Sequence, residues 1–81
     1  MDFIIIKNPN VARSYPVHKF KHAFKIMDGK KQLLYGLYNN IVNITPLLDD
    51  YVGRKISLFI SARGTSKYNW VEYSDPSDDE T

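Results

Sequence analysis

The 81-residue sequence contains no cysteine. That absence excludes a disulfide framework, a thiolate metal site and a thiol nucleophile, so the fold must rest on packing, and an intracellular setting suits it better than a secreted one. Long apolar runs are missing as well. The longest is Phe3-Ile4-Ile5-Ile6, bounded by Asp2 and Lys7, far short of the roughly 20 residues that span a bilayer and unlike a signal peptide in charge order. A soluble, cytoplasmic protein with no membrane contact is expected. A chain this short forms one core and buries only about 60% of the surface that its unfolded form exposes.

Motifs that carry chemistry are also lacking. There is no Gly-rich phosphate loop of the Walker or dinucleotide type and no His-Glu-x-x-His. His18 and His22 are the only imidazoles. Four apart on a strand, they would share a face, but no carboxylate lies near in sequence to complete a ligand set. Asp49 and Asp50 are adjacent, so on a helix they point about 100° apart, and they read as solvent-facing. No catalytic residue, metal or cofactor is expected, and an enzyme is the least supported class.

Acidic residues are scarce in most of the chain and concentrated at its end. Residues 1–71 hold all eleven Lys and Arg against Asp2, Asp28, Asp49 and Asp50, which gives 11 − 4 = +7, whereas Glu72 to Thr81 hold five acids and no base. A body of that charge attracts polyanions. Residues 74–81 are too polar to fold and are expected to form a disordered acidic tail beside a single domain at 1–73.

What is present reads mostly as strand. Phe3 to Lys7 is a β-branched run ending in the turn cluster Asn8-Pro9-Asn10, and Val11 to Pro16 continues as an extended or looping segment. Val17 to Met27 alternates, placing Phe20, His22, Phe24 and Ile26 on a buried face and Lys19, Lys21, Ala23, Lys25 and Met27 on the other. Asp28-Gly29 signals a hairpin with a type I′ turn, and its partner strand runs from Lys31 to Tyr38. Leu33 to Tyr38 also has helical spacing, but Gly36, two Tyr and the preceding turn favour a strand. Asn39-Asn40 is a turn and Ile41 to Ile44 a short extended piece. Thr45 as N-cap, Pro46 at the first helical position, apolar residues to Val52 and a stop at Gly53 predict a two-turn helix. Lys55 to Ala62 alternates with Ile56, Leu58 and Ile60 inward. After a loop at Arg63 to Ser66, the last strand spans Lys67 to Tyr73.

Strand, strand, strand, short helix, strand, strand is an order that resembles the OB-fold, a five-stranded Greek-key barrel with a helix between the third and fourth strands. The resemblance covers residues 3–73 in element order and composition. It implies a mainly β fold, a small five-stranded OB-like barrel, and the single-stranded nucleic-acid binding common among such proteins. The acidic end is similar in charge and position to the tails of single-strand binding proteins, without the terminal aromatic that many of those carry. Its readings are autoinhibition of the basic surface, recruitment of a protein partner, or simple solubilisation.

Candidate binding residues follow from the same alternation. Lys19, Lys21 and Lys25 form a basic ridge, which alone is an ordinary way for a strand to stay soluble and together with the +7 body suits contact with successive phosphates. Phe59 falls on the outward, polar face of its strand between Ser57 and Ser61, and Lys55 and Arg63 flank it. Trp70, with Tyr68 on the same side of the last strand, and one or both of Tyr35 and Tyr38 add stacking surface, worth about 1 to 3 kcal/mol per base, while by pattern Phe20, Phe24, Tyr51 and one of Tyr35 or Tyr38 pack in the core. Arg63 and Lys67 flank the last loop. The expected function is non-enzymatic binding of single-stranded nucleic acid, DNA first, in a compact product of viral or mobile-element type. Two rivals stand beside it: a protein-binding module or inhibitor docking its basic aromatic face on an acidic partner, and a small SH3-like barrel on duplex DNA. Exposed strand edges leave room for a homodimer.

Overall fold

A computed structural model describes residues 2–64 and 67–73. The expected tail at 74–81, like Thr65 and Ser66, lies outside the described residues. Five antiparallel strands, β1 (Phe3–Ile5), β2 (His22–Asp28), β3 (Lys31–Tyr38), β4 (Ser57–Ala62) and β5 (Val71–Tyr73), form one sheet in the order β1-β3-β2-β4-β5. The fold is therefore mainly β. Among the described residues β1 and β5 are the two edges of an open sheet, with no ladder closing it into a barrel.

The β2–β3 hairpin is the centre. Asp28 pairs with Lys31, which leaves Gly29-Lys30 as a two-residue turn. Gly29 has φ +61°, while among the described residues none other than glycine has positive φ. A positive φ at the first central position alone is the type II′ pattern, not the expected type I′. β2 then pairs β4 along its length, from His22↔Ala62 to Met27↔Ser57.

Both faces of the sheet carry a packed cluster, one of them covering its face only in part, and this is the main departure from the sequence expectation. On one face Phe24, Ile26, Tyr38 and Leu58 pack with Ile44. Ile44 arrives on a pair of short 3-10 helices, Ile41–Asn43 and Thr45–Tyr51. On the other face Ala23, Tyr35 and Leu37 pack with Ile6, Ala12 and Phe20. Ala12 lies in a third 3-10 helix, Pro9–Ser14. Phe24, Ile26, Leu37 and Ile44 are fully buried, each contributing about 1.5 to 3 kcal/mol of transfer free energy.

Several local expectations change accordingly. Val11 to Ser14 is helical, and Tyr15 after it is extended: Asn8 Oδ1 accepts from the Asn10 N–H at 3.1 Å and Pro9 opens a helical turn, with a fixed φ suited to that place. Val17 to Lys19 is a turn, not strand, because the Lys19 and Phe20 N–H groups donate to the Pro16 carbonyl. Phe20 consequently leaves the face of Phe24 and joins the opposite cluster. Ile41 to Asn43 is helical, with Asn40 Oδ1 accepting from the Val42 N–H. The predicted short helix between the third and fourth strands is present, wound as a 3-10 helix over Thr45–Tyr51 with Ile44, not Thr45, at its N-cap.

Candidate nucleic-acid interface

The face that carries Ala23, Tyr35 and Leu37 is only partly covered. Register places Tyr35, Lys25, Phe59 and Glu72 in one row across β3, β2, β4 and β5. The next row pairs Met27 with Ser57. Lys25, Met27, Ser57 and Phe59 are all half-buried and Glu72 is exposed. Among the described residues, Phe59 and Met27 belong to neither core cluster. The alternation of β4 explains this: Leu58 and Ile60 are claimed by the opposite face, leaving Phe59 on a surface with too few apolar neighbours to enclose it.

Trp70 stands beside this row. It meets Tyr68 edge-on with ring centroids 5.3 Å apart and Tyr35 at 6.1 Å. The Lys25 ammonium lies 4.5 Å from the Trp70 ring centroid and 5.8 Å from that of Phe59. A cation over an aromatic face gains about 0.5 to 1 kcal/mol when exposed and about 2 when desolvated. The half-buried Lys25 thus has its ammonium held near two aromatic rings and, among the described residues, pairs with no carboxylate.

The sequence-predicted residues divide into three groups. Lys25, Phe59 and Trp70 come together as described. Lys21 immediately precedes β2, its carbonyl accepting from the Arg63 N–H at 2.9 Å, and Lys19 sits in the turn before it; both side chains are exposed. They extend from Lys25 along the chain but do not form a regular strand ridge. Lys55 is exposed just ahead of β4.

The remaining four serve elsewhere. Tyr35 and Tyr38 are buried at 6% and 3% exposure, so neither presents a face for stacking. Burial, followed by a hydrogen bond with Tyr68, pushes the Tyr35 phenol up to about 12. Burial also raises the Tyr38 phenol, which stacks on His22 at 5.2 Å. Arg63 does not reach solvent phosphates: its guanidinium donates to the carbonyls of Phe20 (2.7 Å), Tyr15 (2.6 Å) and Ala12 (3.0 Å). It is a clamp on the Pro9–Ser14 segment. Lys67 lines a separate cleft with His22, Ile60 and Val71, side chains of the other sheet face.

Two residues of this surface were not singled out from sequence. Met27 was readable by alternation with Lys25. Glu72 was counted with the acidic end, although register puts it next to Phe59. Tyr68, read from sequence on the same side as Trp70, does meet that ring. Searches against protein-family models, curated proteins and solved structures find no match to this chain.

Proposed function

We propose that the protein is a non-enzymatic, single-stranded nucleic-acid-binding protein of the cytoplasm that uses this sheet face in the manner of OB-like barrels. Lys25 is its central cation, Phe59 and Trp70 its stacking rings, and Lys19, Lys21 and Lys55 its outlying phosphate contacts. The observation that carries the reading is the Lys25 ammonium suspended between two half-buried rings. An extended polymer offering a π-face and a negative charge at every step complements that pairing better than a flat acidic protein surface does. Affinity would come largely from counterion release and would be independent of base sequence. The acidic residues beyond β5 would compete for the same cations when no strand is bound.

The experiment is a titration of labelled oligothymidine at low salt, read by anisotropy and by the emission of Trp70, the single tryptophan of the chain. Binding with quenched Trp70 emission is expected, and Phe59→Ala should weaken it by roughly tenfold, the equivalent of one lost stacked base. No anisotropy change for oligothymidine, or unchanged affinity in Phe59→Ala, removes the proposal.

A further inference from the structure

Beside the aromatic row lies a cleft of about 590 Å³ that the proposed strand contacts do not use. Its lining includes Arg13, Tyr15, Pro16, Tyr35, Arg63 and Tyr68. Volumes of about 300 to 1,000 Å³ are those of small-molecule sites. Arg13 and Arg63 line the space and, among the described residues, no Asp or Glu does, so its field favours an anion. Arg63 is held by three backbone carbonyls and contributes fixed charge. Arg13 is exposed, ends the Pro9–Ser14 helical segment and has no carboxylate partner among the described residues. A planar guanidinium left open in this way suits bidentate contact with phosphate oxygens.

The lining also includes the rings of Tyr15 and Pro16 and the hydrogen-bonded pair Tyr35–Tyr68. Both phenols of that pair abut Trp70, so the cleft and the aromatic row share a partition. We propose that this cleft binds a nucleoside monophosphate, the phosphate on Arg13 and the base against Tyr15, Pro16 and the half-buried Tyr68. The ligand is either a free mononucleotide or the phosphorylated end of a strand. The second source rests on the function proposed above, and the first does not.

Calorimetry of the full chain with thymidine 5′-monophosphate, thymidine and inorganic phosphate tests the cleft. The monophosphate should bind, with thymidine and phosphate each weaker by roughly tenfold, about one charge-assisted hydrogen bond. Arg13→Ala, at an exposed position, should melt like the parent and lose about the same factor, while Phe59→Ala should leave the monophosphate affinity unchanged. Tighter binding of 5′-phosphorylated than of 5′-hydroxyl oligothymidine, lost in Arg13→Ala, assigns the strand end; equal binding of the two assigns the free nucleotide. Inorganic phosphate as tight as the monophosphate, or an Arg13→Ala chain with parental affinity, overturns the proposal. Oligothymidine binding without monophosphate binding overturns the cleft and leaves the aromatic row standing, and the converse removes the row alone.

Discussion

Gly36 sits where the chain tolerates no side chain at all. A Cβ there would lie 2.5 and 2.7 Å from the Phe24 ring atoms Cε1 and Cζ, and would press on the Ile4 carbonyl oxygen of the neighbouring strand. Phe24 is fully buried and Ile4 is backbone in the β1–β3 ladder, so neither can retreat. Gly36→Ala should cost about 3 kcal/mol, the upper end of overpacking, and lower the melting temperature by roughly 12 °C or more; a calorimetric scan checks it. Tyr35 gives a pH signature. Its phenol rises from 10.0 to about 12 on folding, so the folded state favours the neutral form. That contribution is complete below pH 10 and is lost as pH rises through 12, making stability fall across this window. In urea melts at stepped pH, Tyr35→Phe should flatten the decline. At Glu72 the proposed function makes an opposing prediction about charge. Its carboxylate is the one acid in the row with Lys25 and Phe59, and its removal in Glu72→Gln should tighten oligothymidine binding by about threefold, a surface-charge effect of about 0.6 kcal/mol. Weaker binding in the anisotropy titration would mean that the strand does not cross this row.

Among the elements, the Pro9–Ser14 helical segment packs Ala12 into the core and is tied at its C-terminal end by one distant side chain. Arg63 reaches it through the carbonyls of Ala12 and Tyr15, more than forty residues away in sequence, while a third bond ties down Phe20. Lysine cannot reproduce that fork, because its three donors leave one nitrogen. Arg63→Lys should therefore cost about 2 kcal/mol in urea unfolding. Hydrogen exchange should speed up at the Val11 and Tyr15 N–H groups while the β2–β3 ladder keeps its protection. The same non-locality marks what could be read from sequence. The hairpin was legible, since Lys31–Tyr38 and its turn glycine follow from adjacent residues. The helical segment was not, because its polar sequence gives no hint of the guanidinium that holds it. Alternation put Lys25 opposite Phe24 on its strand and Phe59 outward on another, but only the β2–β4 register brings the two into one row, and alternation could not say which of Tyr35 and Tyr38 is core. Ala12 and Phe20 cover part of the second face, so Tyr35 is core. Tyr38 fell to the same limit of pattern reading: its place beside Phe24 and Ile44 is set by register, not spacing.

At the scale of the whole molecule, charge is the property that the proposed function uses, and salt is the variable that reads it. The full chain carries +2, and removing residues 74–81 deletes Asp75, Asp78, Asp79 and Glu80, giving 2 + 4 = +6. If these carboxylates compete with the strand for Lys25 and its outlying lysines, the full chain exchanges one set of anions for another and releases few counterions on binding. The truncated chain begins with those lysines neutralised by salt ions alone. With four phosphate contacts, at Lys25 and the three outlying lysines, its plot of log K against log salt should approach a slope of about −3, following roughly −0.7 per contact for single strands. The full chain should show a shallower slope and weaker binding at about 0.01 M salt, where charges act over roughly 30 Å, and the two affinities should converge toward 1 M, where that range is about 3 Å. Anisotropy titrations of both chains against oligothymidine across that range decide the matter. Parallel lines of equal affinity would make the acidic end a spectator, and a flat line for the truncated chain would remove the polyanion from the proposal altogether.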